Sequence, residues 1–88
     1  MPSPGEFRIR EDVLTAQLAG EAVLLDLQTK RYYRLNATAA WVWKGLEDLL
    51  TVPEIVESLV REFEVERAVA EQETDRTLGD LRSRGLVT

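Results

Sequence analysis

The stretch from Ala22 to Trp43, AVLLDLQTKRYYRLNATAAWVW, decides the fold, because its apolar spacing changes midway. From Ala22 to Leu27 the residues alternate, with Val23, Leu25 and Leu27 on one side and Ala22, Leu24 and Asp26 on the other. That pattern predicts a strand with one buried face. Gln28-Thr29-Lys30 is a polar connector. Arg31 to Leu35 favours β structure through its paired tyrosines and sets Tyr33 and Leu35 on a common face. At Asn36 the period becomes helical, and Ala39, Val42, Trp43, Leu46 and Leu50 form one stripe. The Asn36 side chain suits the free N–H groups of a helix start, so a helix is expected over about 37–47.

Working outward, Phe7 and Ile9 alternate with Arg8 and Arg10. A second extended stretch from Val13 to Ala19 leads into a tight turn at Gly20-Glu21. Together with the two strands above, this reads as a three-stranded antiparallel meander. Toward the C-terminus, Thr51-Val52-Pro53-Glu54 places a capping hydroxyl three residues before a glutamate, with proline in the first turn. Ile55, Val56, Leu59, Val60 and Phe63 then line one side of a second helix. A third helix begins between Val65 and Ala68 and ends at Gly85, with Arg82 and Arg84 complementing the negative end of its dipole. The expected class is α+β: three strands followed by three helices that cover one face of the sheet.

Eighty-eight residues make one domain. Pro2, Ser3, Pro4 and Gly5 predict an irregular, flexible N-terminus over residues 1–6, leaving 7–88 as the folded unit. The chain has no cysteine and no histidine, which removes thiol nucleophiles, disulfides and the usual zinc and general-base chemistry. Carboxylate pairs such as Asp12 with Asp26, or Glu71 with Asp75, come without a base or a phosphate-binding loop, so no enzymatic activity, metal or cofactor is expected. No apolar run approaches the roughly 18–20 residues of a membrane span, and no signal segment opens the chain. A cytoplasmic location and no membrane partner follow. Sixteen acidic against eleven basic residues give a net charge of −5, a poor match to a phosphate backbone.

Several residues carry the resemblance to a known family: Leu24-Leu25-Asp26, then Tyr32-Tyr33-Arg34-Leu35-Asn36, then Thr38-Ala39-Ala40 and Trp43, then Leu78, Leu81 and Gly85-Leu86. In this order and spacing the chain resembles the PqqD-like recognition elements that capture leader segments of ribosomally made peptides. Within that family it is most similar to the lasso-peptide subgroup, through the tyrosine-rich third strand that runs into a tryptophan-bearing helix. The sequence departs from the family pattern at Thr77, a place often taken by a larger apolar residue.

The resemblance implies a winged-helix-like element whose leader peptide lies between the third strand and the third helix, added as an antiparallel strand. It also implies leader anchors of tyrosine and proline, and delivery of the precursor to a separate, cysteine-protease-like leader peptidase and to a cyclase. An exposed strand edge suits that task, because backbone pairing gives affinity while side chains in the groove give specificity. The peptide-binding residues expected on this basis are Tyr32, Tyr33, Arg34, Leu35, Asp75, Leu78, Gly79 and Arg82. Gly79 in mid-helix points either to close approach of a peptide backbone or to tight packing against a neighbouring helix. Tyr32 and Leu24 are expected on the sheet face opposite the helices. Trp41 falls off the first helix's stripe and is expected to be partly exposed, either anchoring a partner enzyme or packing over the sheet edge. Two other functions remain open: a winged-helix DNA-binding regulator, and an adaptor that binds only folded proteins.

Overall fold

The computed structural model describes residues 7–88, so the expectation for residues 1–6 lies outside the described residues. Three strands, β1 (Val13–Leu18), β2 (Glu21–Asp26) and β3 (Arg31–Leu35), precede three helices, α1 (Ala37–Glu47), α2 (Val52–Phe63) and α3 (Arg67–Ser83). The sheet is an antiparallel meander in the order β1-β2-β3, which leaves β3 as an edge strand.

Local chemistry places the element ends. Ala19 and Gly20 both have positive φ, 48° and 85°, the combination a two-residue type I′ hairpin requires. Asn36 Oδ1 accepts from Ala39 N at 2.9 Å and starts α1. Thr51 Oγ1 accepts from Glu54 N at 3.2 Å while Glu54 Oε1 accepts from Thr51 N at 2.8 Å, a complete capping box that also holds the Glu54 carboxyl below its ordinary pKa. At the end of α3, Gly85 adopts φ 73° and Leu86 N donates to Leu81 O at 3.0 Å. This is the six-to-one bond of a Schellman cap, which needs glycine at the left-handed position.

All three helices lie on one face of the sheet. Ala22, Leu24, Leu35, Val42, Trp43, Leu46, Ile55, Leu59, Ala70, Leu78, Leu81 and Leu86 form the core between the layers. Trp43 is fully buried, and its indole N–H donates to Thr15 Oγ1 at 2.9 Å, so its one polar atom is satisfied. The expected outward position of Leu24 is corrected here. Leu24 pairs with Tyr33, and directly opposed residues point to the same side, so it faces the helices and is fully buried. Tyr32, one residue along, is on the other face and is 72% exposed.

The same register turns Leu14, Ala16 and Leu18 of β1 outward and Thr15 inward. Ahead of the sheet, Ile9 forms an antiparallel bridge with Val87, and Arg8 and Thr88 exchange two backbone hydrogen bonds of 3.2 and 2.9 Å. The Phe7–Arg10 segment therefore pairs with the chain's C-terminal residues. The α1–α2 contact is close: a Cβ on Gly45 would lie 2.7 Å from Ile55 Cγ1.

Candidate functional site: the groove between β3 and α3

Turn geometry decides which backbone groups of β3 are free. In a type I′ hairpin the flanking pair, here Leu18 and Glu21, is hydrogen-bonded, and bonded and non-bonded pairs then alternate along the ladder. Glu21, Val23 and Leu25 thus bond to β1, while Ala22, Leu24 and Asp26 bond to Leu35, Tyr33 and Arg31 of β3. It follows that Tyr32 and Arg34 direct their N–H and C=O groups to the open edge. The edge is about 17 Å long at 3.3 Å per residue.

Beside that edge runs a trough whose other wall is α3. A cavity of about 180 Å³ is lined by Arg34, Leu35, Asn36 and Ala39 on one side and Arg76, Thr77, Asp80 and Leu81 on the other. Toward the end of α3 the Arg84 guanidinium stacks over the Tyr33 ring, 5.0 Å from its centroid. Toward its start lies an apolar hollow of about 220 Å³ between Thr38, Leu59, Phe63, Val65, Val69, Ala70 and Glu73. From Val69 to Arg84 the trough follows α3 for about 22 Å at 1.5 Å per residue.

Two devices hold the walls. Asp26, at the end of β2, is fully buried and accepts from Arg10 Nη2 at 2.7 Å and Nη1 at 3.2 Å, and from Gln28 N at 2.9 Å. Arg10 Nη1 also donates to the Gly85 carbonyl at 2.8 Å, and Arg10 Nη2 donates to Asp12 Oδ1 at 2.9 Å. One guanidinium thereby joins the β2–β3 turn to the end of α3. Its hydrogen bonds hold the Asp26 carboxyl down to about 2, against a smaller opposing effect of burial, and raise the Arg10 pKa in turn. The second device is packing along α3, where Ala70, Thr74, Thr77, Leu78 and Leu81 are buried and fix the helix's rotation.

Rotation distributes the residues expected from the sequence. Tyr33 is half-buried in the trough and Leu35 is buried at its floor; Tyr32 and Arg34 are exposed along the edge. On α3, at about 100° per residue, Arg76, Thr77, Asp80, Leu81 and Arg84 share the trough side. Asp75 instead faces a depression with Val52, Pro53, Val56, Arg67 and Glu71. Leu78 lies in the core and Arg82 stacks over Phe7, 4.3 Å from the ring centroid. A Cβ on Gly79 would meet nothing within 4 Å, so tight helix packing is not the reason for this glycine. Trp41 is half-buried, but against α2 rather than over the sheet edge. Its Nε1 donates to Ser58 Oγ at 2.9 Å and its ring meets Phe63 edge-on at 5.8 Å. Helical spacing from Leu81 and Thr77 is the signal that carries Arg76, Asp80 and Arg84; nothing local in the sequence announces the role of Arg10.

Residues 21–87, which contain both β3 and α3, match the family model described as coenzyme PQQ synthesis protein D (PqqD). The chain belongs to the PqqD family. Two solved structures share its fold closely. One, TbiB1 in complex with the TbiA(beta) leader peptide, is 32% identical with a TM-score of 0.85, over 91% of this chain and 93% of that one. The other, lasso peptide synthetase B1 complexed with the leader peptide, is 34% identical with a TM-score of 0.84, over 94% and 98%. No curated protein sequence matches this PqqD-family chain. Among the described residues no helix is long and apolar enough to cross a membrane.

Proposed function

We propose that this chain binds the leader segment of a ribosomally made precursor, of the lasso-peptide kind, by taking it up as a strand on β3 beside α3. The observation that carries the reading is the open β3 edge next to a trough, in a fold shared with two leader-peptide complexes. Tyr32 and Arg34 supply backbone groups, and Tyr33 and Leu35 supply the floor. Arg76, Thr77, Asp80, Leu81 and Arg84 form the helix wall. The hollow beside Phe63, Val65 and Val69 suits an apolar anchor such as tyrosine or proline, because it is walled mainly by aliphatic and aromatic groups.

The chain acts by binding, not catalysis, in the cytoplasm, and hands the precursor to a separate leader peptidase and cyclase. The absence of cysteine and histidine from the sequence supports the non-catalytic part. Trp41, half-buried against Phe63, is the aromatic offered to a partner enzyme. A DNA-binding role is disfavoured by α2, which presents Glu54, Glu57 and Glu62 against Arg61 alone.

The test is an anisotropy titration of the fluorescein-labelled leader of the precursor encoded in the same gene cluster, with a scrambled leader beside it. Saturable binding of the leader alone is expected, weakened about fivefold or more by Tyr33→Ala and unchanged by Glu47→Ala on the far side of α1. Equal binding of the scrambled peptide would transfer the role to a sequence-blind adaptor.

A further inference from the structure

The two edges of the sheet are built differently. β3 carries Arg31 and Arg34 among its five residues, whereas β1, Val13-Leu14-Thr15-Ala16-Gln17-Leu18, has neither charge nor proline in six. Charge and proline are common devices that keep a strand edge from pairing with another chain. β1 also exposes Leu14 and Leu18, at 52% and 53%, on the sheet face away from the helices. Among the described residues no strand pairs with its outer edge: the sheet order is β1-β2-β3, and the Phe7–Arg10 segment joins the C-terminal residues instead.

Ladder geometry identifies the free groups of β1. Leu14, Ala16 and Leu18 bond to Leu25, Val23 and Glu21, and Leu27 N continues that series by donating to Asp12 O at 2.9 Å. Thr15 and Gln17 thus direct their N–H and C=O groups to the open edge. A groove of about 680 Å³ runs beside Val13 and Thr15, between Phe7, Ile9, Leu46 and Leu49, and leaves room for the side chains of an added strand. The pattern is self-complementary. When a second β1 lies antiparallel about a twofold axis at Ala16, Thr15 meets Gln17 of the copy and Gln17 meets its Thr15, each pair exchanging two backbone hydrogen bonds. On the outer face Leu14 then opposes Leu18 of the copy on both sides of the axis, and the small Ala16 opposes itself. On the inner face the Thr15 hydroxyl accepts from Trp43 Nε1 at 2.9 Å and keeps its own proton to donate to the opposing Gln17 carbonyl. No like charges face each other along the paired strands.

We propose that this chain pairs with a second copy of itself through β1, giving one continuous sheet in the order β3-β2-β1-β1-β2-β3. The occupant is a second copy because one edge supplies both halves of the match, as an isologous interface requires. Both β3 edges stay at the outer margins of that sheet, so each copy keeps its own trough beside α3. One strand edge about 20 Å long buries less than the roughly 1,200 Å² at which stable complexes begin, so the dimer is weak and reversible, with Kd on the order of 100 µM.

Sedimentation velocity of the full chain from about 5 to 500 µM spans that range, and a reversible shift from monomer to dimer is expected. Gln17→Pro, at a position whose N–H faces the open edge, should raise the dimer Kd about tenfold or more with an unchanged melting temperature at the lowest concentration. Ala16→Lys should act alike by setting two ammonium groups face to face at the axis, and it serves where proline disturbs the hairpin. The chain has no cysteine, so Ala16→Cys reads the register directly. Opposed residues of a non-bonded pair lie about 4.5 Å apart at Cα, within disulfide reach, and oxidation should give a covalent dimer. Leu14→Cys alone, about 13 Å along the strand from its symmetry mate, should not cross-link. A monomer at every concentration, or a dimer that neither Gln17→Pro nor Ala16→Lys weakens, would overturn the inference. So would a dimer dissolved by Tyr32→Pro, which would place the contact at β3.

Discussion

Tyr32→Pro and Tyr33→Pro, adjacent in sequence, should have opposite consequences. The Tyr32 N–H points to the open edge, so proline there removes no ladder bond. Tyr32 is 72% exposed, so little packing is lost either. The folded state should change by about 1 kcal/mol or less, the span of β-propensity differences. At Tyr33 the N–H bonds to Leu24, which is fully buried. Proline there orphans a buried carbonyl, at a cost of about 1–3 kcal/mol, and also removes a half-buried aromatic.

Leader binding separates the variants in the other direction. On the proposed strand addition at β3, deleting the Tyr32 N–H would remove one intermolecular hydrogen bond, a net of about 0.5–1.5 kcal/mol or about 2- to 12-fold in Kd. The proline ring also projects into the space of the incoming strand, and the leader's own carbonyl is left unpaired. Together these should weaken binding about tenfold or more relative to Tyr32→Ala, which controls for the lost phenol. The assay is anisotropy titration of the labelled leader, with circular dichroism melts on the same samples. A Tyr32→Pro protein that melts like Tyr32→Ala and binds within about twofold of it would refute strand addition at β3.

Two further outcomes concern the frame that holds the trough. Gly45→Ala forces its methyl to 2.7 Å from Ile55 Cγ1 in the α1–α2 contact and should destabilise by about 1–3 kcal/mol despite alanine's better helix propensity; chemical denaturation of Gly45→Ala alone and combined with Ile55→Ala should show the double variant losing less than the sum. Asp26 has a folded pKa of about 2 against an ordinary 3.8, so the stability it contributes is complete above about pH 4 and is lost as pH falls toward 2. The melting-temperature advantage of wild type over Asp26→Asn should therefore hold from neutrality to about pH 4 and then shrink; an advantage unchanged at pH 2 would remove Arg10–Asp26 as the cause.

Element ends and their order were legible in the sequence because their causes are local. The Asn36 cap, the Thr51–Glu54 box and the Gly85 cap each act within a few residues, and the change from period two to helical spacing after Leu35 needs no distant partner. Period two yields two sets of side chains per strand without saying which is covered. Tertiary pairing made that choice, placing Leu24 inward because it opposes Tyr33, and turning Leu14, Ala16 and Leu18 outward because Thr15 must reach the Trp43 indole. The trough's helix wall was decided in the same way, since α3 turns to bury Ala70, Thr74, Thr77, Leu78 and Leu81, and that rotation carries Arg76, Asp80 and Arg84 to the β3 side and Asp75 and Arg82 away from it. Arg10 reaches Asp26 and Gly85, 16 and 75 residues away. A contact across such separations depends on every element between, so only the assembled fold could place it.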